Sequence, residues 1–167
     1  DFVNLTLTRM AYGGIFDTVD GGFSRYSVDN KWHVPHFEKM LYDNGQLLNV
    51  YAQAYVQTKI PEYKRVLDQT LGWLEREMQS EEGGLFAAQD ADSEGVEGKY
   101  YVWTKEEIES ALGENASWFW KFYNPGNKGF WEHGQWVLLR NETWEEFCKN
   151  NPEIDPAKIQ SQLDTLL

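Results

Sequence analysis

Histidines, carboxylates, aromatic rings and an amide fall together in Trp32-His33-Val34-Pro35-His36-Phe37-Glu38-Lys39-Met40-Leu41-Tyr42-Asp43-Asn44. An imidazole near a carboxylate is suited to moving protons close to neutral pH, so His36 and Glu38 are the first acid/base candidates. The alternative is a helix-start histidine bonded to a backbone carbonyl. A second set of acids lies in Gln89-Asp90-Ala91-Asp92-Ser93-Glu94-Gly95-Val96-Glu97-Gly98. Asp90, Asp92, Glu94 and Gly95 imitate the start of a calcium loop, but the position needing a bidentate Glu is Tyr101, so that motif fails. These acids either form a solvated loop or face a site, where they bond sugar hydroxyls or supply an acid/base group. Arg25, Tyr26 and Trp32 form a third set that can stack on and hydrogen-bond a polyol, or lock their own loop. His33, Asp43, Asn44, Tyr100 and Trp103 complete the candidate binding residues. Asn44 sits within an apolar stripe and reads also as a hydrogen bond between helices. His33-x-x-His36 has a permitted metal spacing, but Pro35 intervenes and no third ligand follows. No metal or cofactor is expected.

The elements that would position these residues are mainly helical. Val3, Leu7, Met10 and Ala11 mark a helix over residues 1–12, stopped by Gly13-Gly14. Asp20-Gly21-Gly22 suggests a short hairpin or an irregular loop. Apolar positions 37, 40, 41, 47, 48, 51, 54 and 55 predict a long helix over 35–58, with Pro35 in its first turn. On that helix His36 and Asp43 share an edge, and Glu38 points about 160° away from His36. A second helix over 61–79 follows after so short a joint that the two must form an αα-hairpin. Thr104 with Glu107 caps a helix over 105–112, and Ser117–Tyr123 forms another. Thr143 with Glu146 caps one more, and Asp155-Pro156 starts the last. Short β segments fall in the loops. Gly-Gly, two apolar residues, a loop, Trp and a helix occur at 13–32 and again at 83–103, with a degraded third copy at Gly129-Phe130 and Trp136. Stacked repeats of this kind form arrays or rings of helical hairpins with loops on one face.

Composition narrows the functions. The chain has 167 residues and a net charge of −12, without a basic run, which disfavours nucleic acid and anionic membrane partners. No run approaches the ~18 apolar residues of a membrane span, so the cytoplasm is the expected location. The single cysteine, Cys148, excludes an internal disulfide and reads as structural. Aromatic residues make up 16% of the chain, enough to fill a core and also to line a flat-faced ligand such as a sugar.

Read together, residues 21–29, 32–44 and 90–104 resemble the YyaL-like, spermatogenesis-associated protein 20 family of thioredoxin-domain-containing proteins, over about residues 1–140. The resemblance implies a fragment of an (α/α)6 toroid, similar to N-acylglucosamine 2-epimerases and six-hairpin glycosidases. The chain has no Cys-x-x-Cys and no βαβ pattern, so the family's thioredoxin-like domain and the later toroid helices are expected to lie outside it. Gly45 stands where the family tends to a small residue such as Ala, which loosens the helix slightly. The expected function is binding or conversion of a carbohydrate by an isomerase, epimerase or glycosidase-like site. The alternative is a non-catalytic scaffold attached to a redox domain. Expected partners are a small sugar-like ligand, the rest of the same polypeptide and, for the isolated arc, a second copy meeting its apolar edges.

Overall fold

A computed structural model describes residues 1–167. Helix α1 (Phe2–Tyr12) is capped by Asp1, whose carboxylate accepts the Val3 N–H at 3.2 Å. It ends at Gly13, which is not a left-handed stop: its backbone is extended, with φ −73° and ψ 166°. The glycines are needed for a close crossing instead. A Cβ on Gly13 would sit 2.2 Å from the Trp32 carbonyl oxygen, and one on Gly14 would sit 2.0 Å from that of His33.

The chain then folds back through a bridge between Phe16 and Phe23 and enters β1 (Tyr26–Ser27), which pairs antiparallel with β2 (Pro35–His36). Residues 35–40 are not the first turns of the long helix. They form an extended segment containing β2 and β3 (Lys39–Met40), and helix α2 runs only over Leu41–Thr58. The cause is visible in the burial pattern. Pro35, Phe37 and Lys39 point inward while His36, Glu38 and Met40 are half-buried, the period of two that a strand requires. Helix α3 (Pro61–Trp73) packs against α2 as the expected hairpin and widens into a π turn over Leu74–Met78. The strand β3 is covered by β4 (Ala88–Gln89) from the second long loop.

That loop continues as a tight hairpin of β5 (Asp92–Ser93) and β6 (Val96–Glu97), then β7 (Trp103–Thr104), which pairs with β8 (Gln135–Trp136). Helix α4 (Lys105–Leu112) opens on the Thr104–Glu107 capping box, and α6 (Trp144–Asn150) opens on Thr143–Glu146. Between them lies α5 (Ala116–Tyr123), and α7 (Pro156–Leu166) starts at Asp155, whose side chain accepts the Lys158 N–H at 2.9 Å. No helix is long and apolar enough to cross a membrane.

Two main apolar clusters result. One joins α1, α2 and α3 through Leu7, Phe16, Phe23, Tyr51 and Tyr63; the other joins α4 to α7 through Ile108, Phe119, Phe147 and Leu163. Between them Phe37, Tyr101 and Val137 form a small third cluster. A buried ion pair of Arg140 with Glu62, extended by Arg65 with Glu145, ties α3 to the segment entering α6. None of the eight tryptophans is exposed, so the aromatic excess serves mostly as packing. Burial pushes the Cys148 thiol up, in keeping with a structural role. Phe2, Val3 and Leu5 on α1, with Val50 and Val56 on α2, leave apolar side chains exposed.

Candidate functional site

Because residues 35–40 are extended, His36 and Glu38 emerge on the same side of the chain. The helical expectation placed them about 160° apart; here His36 Nε2 lies 3.8 Å from Glu38 Oε2. Glu38 also lies 3.5 Å from Arg25 Nη1. The other ring nitrogen, His36 Nδ1, is 2.9 Å from Oε1 of Glu97 on β6. A carboxylate only accepts, so the neutral imidazole carries its proton on Nδ1, leaving the Nε2 lone pair without a bonded partner. Tyr26, opposite His36 in the β1–β2 pair, stacks on the imidazole with centroids 5.1 Å apart. His36 and Glu38 each keep 29% of their side-chain surface, so the group is reachable from solvent.

Beside it opens a cleft of about 720 Å³ between α1, the first turns of α2 and the loop 24–32. Its polar lining includes Arg25, Asp29 and Asp43, and Trp32 and Tyr26 contribute aromatic surface. The Asp43 Oδ2 atom is buried without a hydrogen-bond partner. Trp32 is held at φ 63°, a strained value for a bulky residue. The turn that holds it is organised by Asp29, whose carboxylate accepts the N–H groups of Lys31 (2.7 Å), His33 (3.2 Å) and Val34 (2.8 Å). Burial works against the Asp29 anion, but those three N–H groups outweigh it and hold its carboxyl below the usual range. Tyr26 belongs both to the cleft and to the imidazole; His36 itself is not among the lining residues.

The other candidates separate. Asp92 is exposed and faces Glu97 directly across the β5–β6 pair, so both side chains lie on the face that reaches His36. Asp90 is spent on local structure: its carboxylate accepts the Asp92 N–H at 3.1 Å and its carbonyl accepts the Tyr101 hydroxyl at 2.9 Å. Glu94 forms the hairpin tip with φ 53° and is ion-paired with Lys99, away from the imidazole. Asn44 is fully buried with its amide committed to Phe23, accepting its N–H at 2.7 Å and donating to its carbonyl at 2.9 Å. It thus latches α2 to the first loop, rather than one helix to another, and is closed to a ligand. His33 turns into the Asp29 turn, where burial, then Lys128 and Lys31, push its imidazole down against the opposing pull of Asp29. Tyr100 and Trp103 line a different cavity, of about 270 Å³, with Asp17, Asp20 and Tyr101. Burial, with Asp20, Glu77 and Asp17 nearby, pushes the Tyr100 phenol up to about 12.

Two residues were passed over in the sequence. Glu97 is the direct partner of His36, and its only signal was its place opposite Asp92 around the Glu94-Gly95 turn. Lys39, inside the opening motif, is completely buried.

Fold and site together define a mainly helical hairpin protein whose inter-helix loops gather His36, Glu38 and Glu97 beside a polar, aromatic-edged cleft. No protein-family model matches the chain. Over a 183-residue alignment it is 37% identical to an uncharacterized protein of Caenorhabditis elegans, covering 95% of this chain and 25% of that protein. Spermatogenesis-associated protein 20 of Homo sapiens and of Mus musculus is 46% identical over 115 residues, 65% of this chain and 15% of each relative. The chain is homologous to spermatogenesis-associated protein 20 over that part of its length. It spans a quarter or less of these relatives. Among solved structures, a D-mannose isomerase aligns over 78% of this chain and 36% of its own, with a TM-score of 0.41 and 21% identity.

Proposed function

We propose that the chain is an arc of an (α/α)6 toroid whose loop side binds a carbohydrate and moves a proton on it, as a sugar isomerase or epimerase does. The observation that carries this reading is the His36 arrangement: Nδ1 held by Glu97 at 2.9 Å and Nε2 unbonded beside Glu38. An imidazole so oriented takes the proton from the carbon next to the carbonyl of an open-chain sugar. The same imidazolium then returns it to the carbonyl carbon, while the hydroxyl proton of the neighbouring carbon passes to the former carbonyl oxygen (isomerisation), or returns it to the original carbon (epimerisation, where the opposite face is presented). Arg25 stands where it can meet the negative charge that develops on the sugar oxygen. A glycosidase reading fits less well, because it needs two carboxyl groups flanking the bond to be cleaved. Here Glu38 and Glu97 both flank the imidazole. In this proposal the cleft holds the sugar against Trp32, Tyr26 and the unpaired Asp43 oxygen. The exposed apolar side chains of α1 and α2 meet further hairpins of the longer polypeptide, with a thioredoxin-like domain elsewhere in it.

The test uses the full-length protein. A panel of free sugars is screened for thermal stabilisation, and any binder is incubated in heavy water and followed for deuterium incorporation beside its carbonyl. Exchange is expected, falling about 10²–10⁴-fold in His36→Ala. Absence of exchange with every sugar, or exchange that survives the substitution, ends the proposal. One observation favours a second reading, a binding scaffold without turnover: the imidazole is not among the residues that line the cleft. Stabilisation by a sugar without exchange would select it.

A further inference from the structure

The segment that presents His36 and Glu38 outward has an inner edge, and its last inward residue is charged. Lys39 has 0% of its side chain exposed. Its ammonium donates to Asp17 Oδ2 at 2.9 Å and to the Gly21 carbonyl at 2.8 Å, with Asp20 Oδ2 at 3.5 Å. It lies 5.2 Å from the ring centroids of both Trp73 and Tyr101. Burying an ammonium is costly, and a well-packed apolar side chain would anchor a strand at least as firmly. What the ammonium adds is direction, because fixed acceptors set where along its axis the strand must stop.

The groups around Lys39 come from three separate elements. Asp17, Asp20 and Gly21 belong to the first loop, Trp73 to α3 and Tyr101 to the second loop. Tyr101 stacks on Phe37 at 5.6 Å and reaches the base of the β5–β6 hairpin through its bond to the Asp90 carbonyl. Phe37 in turn lies so close under Gly98 that a Cβ there would come within 2.6 Å of the ring. Gly98 directly follows Glu97. Both carboxylates beside His36 are therefore referred to one buried stack, Glu38 through its chain neighbours Phe37 and Lys39, and Glu97 through Gly98, Phe37 and Tyr101.

We propose that Lys39 is a positioning residue that sets the register between the 35–40 strand and the β5–β6 hairpin, and so holds His36 between Glu38 and Glu97. The proposal rests on the reading of His36 as the acid/base group, and it is tested by a readout that needs no sugar. In full-length protein labelled with ¹⁵N in the imidazole rings, long-range ¹H–¹⁵N spectra report which ring nitrogen carries the proton. Neutral His36 is expected as a single Nδ1–H tautomer in the natural protein, lost in Glu97→Ala. Folded Lys39→Met is expected to show a mixture of tautomers. Its companion Lys39→Met/Asp17→Asn, which leaves no stranded carboxylate at position 17, is expected to show the same mixture. Asp17→Asn alone replaces the carboxylate by a neutral amide, whose oxygen is a weaker acceptor for the ammonium, and is expected to give a partial loss. A folded Lys39 variant that keeps the natural pattern overturns the proposal, and so does a fully natural pattern in Asp17→Asn if both Lys39 variants fail to fold. Loss of the tautomer in a protein that exchanges no sugar proton would retain the positioning role and remove the enzymatic reading alone.

Discussion

The loops that leave α1 and α3 carry the same signature, Gly-Gly followed by two apolar residues, and they are built on different physics. In the first, Gly13 and Gly14 lie against the Trp32 and His33 carbonyls, and Ile15 and Phe16 are buried at 3% and 2% exposure. In the second, Gly83 has φ 84° with open space around it, and Leu85 and Phe86 are 54% and 53% exposed. The first pair is required by a backbone crossing, the second by a turn. A repeated sequence motif thus serves two different backbone geometries, an extended crossing at Gly13 and a left-handed turn at Gly83.

Substitutions at matched positions can break or sharpen that contrast. The largest difference is expected between the two phenylalanines. Phe16→Ala should cost about 3–5 kcal/mol in denaturant unfolding, and Phe86→Ala should stay within about 0.5 kcal/mol. Equal costs would mean that the second loop is packed in solution as the first is. The glycines come next. Gly14→Ala should cost about 1–3 kcal/mol through overpacking against the His33 carbonyl and Val137. Gly84→Ala meets only the Ser80 hydroxyl, at 3.4 Å, and should be close to neutral.

The smallest effect is a pH dependence near the ordinary histidine range, tied to His33 in the first loop; the second loop contains no histidine. Burial of His33 lowers its folded-state pKa below the ordinary value of about 6.5, so the unfolded chain takes up the proton first. The stability tied to neutral His33 is present above that ordinary value and is lost as pH falls below it. His33→Gln should flatten the slope of stability against pH in that range. An unchanged slope would show that His33 is as solvated in the folded protein as in the unfolded one.

Most helices were legible because their signals are local. The Thr104–Glu107 and Thr143–Glu146 capping boxes, Pro61 after a two-residue joint and Asp155-Pro156 all act within a few residues of themselves. The start of the long helix was not. Residues 35–40 alternate as a strand does, but Lys39 holds an inward position, so the apolar alternation that would reveal it is interrupted by a charge. Periodicity from Leu41 onward then extends the helix backward over residues that are not in it. Glu97 was hidden for a related reason, since its link to His36 spans 61 residues and depends on a turn at Glu94-Gly95 that resembles the opening of a calcium loop. Asn44 stood out correctly as a polar interruption, yet its partner is the Phe23 backbone, which no side-chain pattern records.

The ring of Tyr26 is a wall of the cleft on one side and the cover of His36 on the other. The two functions cannot be tuned independently. On the proposed reading, a sugar that tilts the phenol to make itself room also lifts the lid from the imidazole, so the fit of the guest and the exposure of the nitrogen change together.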